Sequence, residues 1–130
     1  INKFISNITV KLKEIIKDKD FPDRDAIFAA FGHFTAQLHE QGMLHADYSM
    51  GNVLFEPNEK GVDFQLVDLN RMRFGKKINC HKGCQNFERI DTDAHALSVI
   101  ARAYAQARGF DEEECVQLVL KMRWRKHKKN

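Results

Sequence analysis

The segment HADYSMGN places His45, Asp47 and Asn52 close together, and a second acid, Asp68, ends the apolar run FQLVD that follows. Transfer of a phosphoryl group to an alcohol calls for this kind of set. One carboxylate must orient the attacking hydroxyl and accept its proton, while a second carboxylate and an amide oxygen hold magnesium against nucleotide phosphates. Magnesium prefers hard oxygen ligands, so Asp68 and Asn52 suit it, whereas an imidazole or a thiol does not. The chemistry works only if Asp47, Asn52 and Asp68 converge on one cleft.

The elements between these residues must bring them together. NVLFE and VDFQLVDL are β-branched and aromatic runs separated by PNEKG, whose Pro, Asn and Gly favour turns. Val53 to Phe55 and Asp63 to Val67 are therefore predicted to form a small hairpin. It returns Asp68 to the edge that carries Asp47 and Asn52. Upstream, Phe4, Ile8, Leu12 and Ile15 have the spacing of one apolar helical face, which predicts an amphipathic helix over residues 1 to 17. Pro22 suits the first turn of a second helix, with Asp23 and Asp25 at its positive end. That helix should run to about Glu40, with Ile27, Phe31, Phe34 and Leu38 on one face and Gly42 as a left-handed cap. His33 and His39 read as packing or surface residues.

Residues 71 to 90 are expected to be irregular and carry Arg71, Arg73, Lys76, Lys77 and Lys82. A third helix is predicted from about Asp91 to Arg108, ending near Gly109. Asp111 and Glu114 resemble a capping box that opens a fourth helix through Cys115, Leu118, Val119 and Met122. The expected fold class is mainly α with a small β-hairpin, α+β, in a single domain over 1–130.

Composition agrees with a globular domain: 43% of the 130 residues are hydrophobic and 30% charged. No apolar run approaches the roughly 20 residues of a membrane-spanning helix, and no signal-peptide layout opens the chain, so a cytoplasmic setting is the expectation. The first residue is Ile1 rather than Met, which suggests a start inside a longer gene product. Three cysteines, an odd number, point to reduced thiols rather than a disulfide framework. Cys80, His81 and Cys84 in CHKGC are metal-ligand types, yet a tetrahedral site wants four ligands and no second pair is evident, so a turn around Gly83 is expected. The last ten residues, KMRWRKHKKN, hold six Lys or Arg and no acid. They read as a helix end whose cations complement the dipole, ahead of contact with an anionic membrane surface or, least favoured, nucleic acid. Trp124 is expected to pack on the core.

HADYSMGN resembles the H-x-D-x-x-x-x-N catalytic loop of the protein-kinase-like superfamily, and VDLN after a strand resembles its D-F-G segment. The resemblance implies Asp47 as catalytic base, Asn52 and Asp68 as magnesium and nucleotide ligands, and His45 as a structural brace of the loop. Ser49 stands where protein kinases often carry lysine, which resembles small-molecule kinases such as the aminoglycoside and choline kinases. The longer run HADYSMGNVLFE, FQLVDLNRMRF and KGCQNFERI is similar to bacterial lipopolysaccharide kinases, over roughly residues 25 to 125. By that likeness the co-substrate is ATP, the cofactor Mg2+, and the acceptor a Kdo or heptose hydroxyl of the lipopolysaccharide inner core, at the inner face of the inner membrane. Asn70 replaces the glycine of D-F-G. No Gly-rich phosphate loop and no strand lysine precede Asp47, so the chain resembles a kinase C-terminal lobe without its N-terminal lobe, and alone it is expected to be inactive. Arg71 and Arg73 are either surface ion-pair residues or contacts for an acceptor phosphate or sugar acid. The competing reading is a non-catalytic kinase-like binding or scaffold module.

Overall fold

The computed structural model describes residues 10–12 and 14–128. The helix predicted over 1 to 17 is corrected where it can be seen. Val10–Lys11 is a strand, β1, and the helix α1 covers only Glu14–Lys17. An open edge of the hairpin offers β1 backbone partners that an isolated helix would forgo: Val10 pairs with Phe55, Lys11 with Leu54, and the Leu12 N–H reaches Val53 O at 2.8 Å. Leu12 and Ile15 from the expected apolar face are fully buried, while Phe4 and Ile8 lie outside the described residues.

Helix α2 spans Arg24–Glu40. Pro22 stands before the N-cap residue Asp23 rather than in the first turn. The buried stripe runs through Ile27, Phe28, Phe31, Thr35, Ala36 and His39, so Phe34 and Leu38 lie at its margin. Gly42 adopts φ +77° and ends the helix as expected, with Met43 N–H bonded to Leu38 O at 2.9 Å. The second long helix, which will be α4, covers Ala94–Arg108, and the last, α5, covers Glu112–Lys128. Asp93 caps α4 by accepting from Ala96 N–H, and Asp111 accepts from Glu114 N–H at 2.8 Å ahead of α5. Small residues let α2 and α4 approach closely: a Cβ on Gly32 would lie 2.5 Å from Ile100 O.

The strands form two small sheets. Strand β3, Val53–Asn58, pairs antiparallel with β4, Gly61–Leu66, from Val53↔Leu66 to Asn58↔Gly61, and β1 adds to the other edge of β3. A second ladder joins β2, Leu44–His45, to β5, Met72–Arg73. Residues 71 to 90 are therefore more ordered than expected. They contain β5 and a helix α3, Cys80–Gln85, where the sequence reading placed a turn around Gly83. Asn79 caps α3, its side chain accepting from Lys82 N–H at 2.8 Å. Gly83 is needed inside the helix because a Cβ there would overlap the Tyr104 hydroxyl.

The core lies between α2, α4, the hairpin and the start of α5, and includes Phe28, Phe31, Phe55, Phe87, Ile100 and Tyr104. Trp124 is 59% exposed, which corrects its expected core role: it sits on the basic distal part of α5, beyond the buried Cys115, Val116 and Val119. Among the described residues no helix is long and apolar enough to cross a membrane.

Candidate active site

The loop between α2 and β3 is held from several sides before any chemistry is considered. Tyr48, 2% exposed, is its apolar anchor, stacked on Phe31 at 5.4 Å between ring centroids and hydrogen-bonded to the Thr35 hydroxyl. Burial pushes the Tyr48 phenol far up, so it stays protonated. His45, 1% exposed, ties β2 to the residue that follows β4: Nε2–H donates to Val67 O at 3.0 Å, and Nδ1 accepts the Asp47 N–H at 3.0 Å. One donor and one acceptor correspond to the neutral Nε2–H tautomer. His45 thus ties the start of the loop to Val67.

The His45 carbonyl is propped by a chain that the sequence reading missed. Asn86 Nδ2 donates to His45 O at 3.1 Å, while its Oδ1 accepts from His39 Nε2–H at 2.9 Å. The other His39 nitrogen accepts from the Tyr104 hydroxyl at 2.6 Å, which in turn accepts from Arg108 Nη1. Burial drives the His39 pKa down to about 4, the Asn86 bond opposing this and the Arg108 charge adding to it. At neutral pH His39 is an uncharged relay of hydrogen bonds. No local pattern marks these residues, which come from α2, α4 and the end of α3.

Asp47 and Asn52 meet directly. Asn52 Nδ2 donates to Asp47 O at 2.8 Å and lies 3.4 Å from Asp47 Oδ2. With its nitrogen committed, Asn52 presents Oδ1, a hard acceptor that takes no other bond among the described residues. Asp68 reaches this edge through the sheet: Val67 N–H bonds Asn52 O at 3.0 Å, and Asp68 is the next residue. It adopts φ +60°, a left-handed conformation that Asp tolerates better than most residues, and its exposed carboxylate has no hydrogen bond or ion pair among the described residues. Asn52 Oδ1 and the Asp68 carboxylate are two unengaged hard oxygen donors of the type that a magnesium ion takes.

Arg89, which the sequence reading did not single out, lies on the other carboxylate oxygen: its Nη1 is 3.3 Å from Asp47 Oδ1, and its side chain is 68% exposed. Arg71 and Arg73 are exposed on the turn and strand after Asp68, and among the described residues Arg73 bonds its neighbour Met72 O at 3.4 Å. Neither forms a salt bridge among the described residues. At the far end of α2, Arg24 is buried against Asp93 at 2.9 Å and Ile15 O at 3.0 Å. Burial would raise the Asp93 pKa, but the Ala96 N–H and the Arg24 guanidinium outweigh it and hold Asp93 low. That pair ties α1, α2 and α4 together, well away from the loop.

With this geometry in place, the likenesses to known proteins are specific. The family model of the "Lipopolysaccharide kinase (Kdo/WaaP) family" matches residues 6–118. The chain belongs to this lipopolysaccharide kinase family. A solved structure described as "WaaP in complex with acyl carrier protein" shares its fold, with a TM-score of 0.70 and 16% sequence identity, over 92% of this chain and 57% of that one. No curated protein matches the chain significantly. The mainly α architecture with its small antiparallel sheet is thus that of a lipopolysaccharide kinase family member, and the chain spans little more than half the length of the WaaP chain it matches.

Proposed function

We propose that this chain is the C-terminal lobe of an ATP-dependent kinase that phosphorylates a sugar hydroxyl, Kdo or heptose, of the lipopolysaccharide inner core. The observation that carries the proposal is the Asp47–Asn52 contact beside Asp68, in a chain of the lipopolysaccharide kinase family. Asp47 orients the acceptor hydroxyl and takes its proton as the oxygen bonds to the γ-phosphorus and the bond to the ADP oxygen breaks. Asn52 Oδ1 and the Asp68 carboxylate would hold Mg2+, which would supply positive charge to neutralise the nucleotide phosphates. His45 keeps the Asp47 backbone in register, both of its ring nitrogens being engaged in hydrogen bonds. Exposed Arg71 and Arg73 lie where they would meet an anionic acceptor, and the basic end of α5 would favour an anionic membrane surface.

On this reading the 130 residues alone do not turn over ATP, because the sequence carries no Gly-rich loop to cover the nucleotide phosphates. The test is phosphate transfer to lipopolysaccharide core acceptors by the full-length protein and its Asp47→Asn variant. The variant should lose about 10²–10⁴-fold in kcat. Undiminished turnover would remove Asp47 from the chemistry.

A further inference from the structure

Outside the loop, three cysteines that the sequence keeps far apart come together. Cys80 and Cys84 lie one turn apart on α3, and Cys115 faces them from α5. Their three sulfurs all lie within 4.8 Å of one another, with Cys80 and Cys115 at 3.6 Å. All three are free thiols. Three thiolates around a zinc ion, with Zn–S bonds of about 2.3 Å, stand about 3.8 Å apart, so the cluster needs only small side-chain shifts to close on a metal. In the sequence, CHKGC alone offers too few ligands for zinc. The third was Cys115, on another helix.

We infer that Cys80, Cys84 and Cys115 form a binding site for a soft divalent cation of the zinc class. Thiolate sulfur selects such ions over magnesium, which keeps this site chemically separate from Asn52 and Asp68. Cys84 and Cys115 are 1% and 0% exposed, whereas Cys80 is partly exposed. Cys80 therefore marks the side by which the ion enters and where a water completes the tetrahedron. No His, Asp or Glu joins the group among the described residues.

Without metal the two buried thiols, Cys84 and Cys115, are uncharged. Burial pushes the Cys115 thiol up to about 12, with Cys80 adding to the effect and the Cys84 hydrogen bond opposing it, and pushes Cys84 higher still, where both neighbouring sulfurs add. Each sulfur must release its proton to solvent as its bond to the metal forms, so three protons leave and the site gains one net negative charge. A bound ion would staple α3 to α5. Because Asn86 directly follows α3 and bonds the His45 carbonyl, the staple also fixes the prop of the catalytic loop. The inference stands on the sulfur geometry alone and holds whether or not the phosphotransfer reading does.

Titration of the full-length protein, kept reduced with a phosphine, with Cd2+ and Zn2+ tests it. Cd2+ should produce ultraviolet thiolate-to-metal charge-transfer absorption that saturates at one ion per chain. Zn2+ should displace it with a dissociation constant of about 0.1 µM or tighter, the weak end of structural zinc sites. Cys80→Ser, at the partly exposed position, should fold like the parent and lose the absorption. If that variant does not fold, protection of Cys80 in the parent decides: one equivalent of Cd2+ should slow its alkylation at least tenfold. Absence of charge-transfer absorption, its survival in folded Cys80→Ser, or alkylation at an unchanged rate would each overturn the site.

Discussion

Asp47 is held on two sides by groups with different consequences. Asn52 is part of the site's geometry: its amide nitrogen is fixed by Asp47, which leaves Oδ1 for a metal. Arg89 is exposed and bonds Asp47 at 3.3 Å, so the pair contributes little to stability, under about 1 kcal/mol. Its guanidinium is free to exchange Asp47 for an anionic group on the acceptor. Arg89→Ala should leave the denaturant midpoint nearly unchanged and raise KM for a phosphorylated or carboxylated acceptor by about tenfold, a loss of the size expected for one charge-assisted hydrogen bond. Steady-state kinetics with such acceptors checks this; an unchanged KM together with a large drop in stability would make Arg89 purely structural. Asp47, Asn52 and Asp68 can be picked out of the sequence as candidates because their types and spacing suit phosphoryl transfer. Arg89 and Asn86 were not, since they reach the loop from a distant segment and nothing local announces the contact.

At the scale of elements, the catalytic loop is only as well placed as α3. Gly83 packs against the Tyr104 hydroxyl, the same group that feeds the His39–Asn86 prop. Gly83→Ala should therefore cost about 1–3 kcal/mol by overpacking, read as a lower midpoint in urea, and should lower kcat because the prop shifts. An alanine variant as stable as the parent would contradict this packing. The hairpin and the long helices could be read from the sequence, where β-branched runs, turn residues and caps all agree. The two-residue strands β2 and β5 could not, because they are too short to show a period. Val10–Lys11 hides as a strand for a related reason, while Glu14–Lys17 is helical as expected: Leu12 and Ile15 fit a helical face, but buried positions either side of a strand-to-helix junction give the same spacing. The six residues of α3 were hidden by Gly83, which normally weakens a helix and is retained here for close packing.

Across the whole molecule, burial of uncharged His39 links stability to pH. Its pKa is about 4 in the folded chain against an ordinary 6.5, so the unfolded chain takes up a proton first as pH falls. The His39 contribution is complete above pH 6.5 and disappears as pH drops toward 4, a loss of about 3 kcal/mol. NMR titration should show the His39 ring unchanged until near pH 4, and urea melts should weaken across the same window. Titration of His39 near 6.5 would mean that the buried prop does not form.

The account as a whole depends on Asn52 and Asp68 forming one oxygen site beside Asp47. Calorimetry of ATP binding to the full-length protein, with and without Mg2+, addresses it most directly. Binding should require Mg2+ and should weaken at least about tenfold in Asp68→Ala. Mg2+-dependent binding of equal strength in parent and variant would contradict the account.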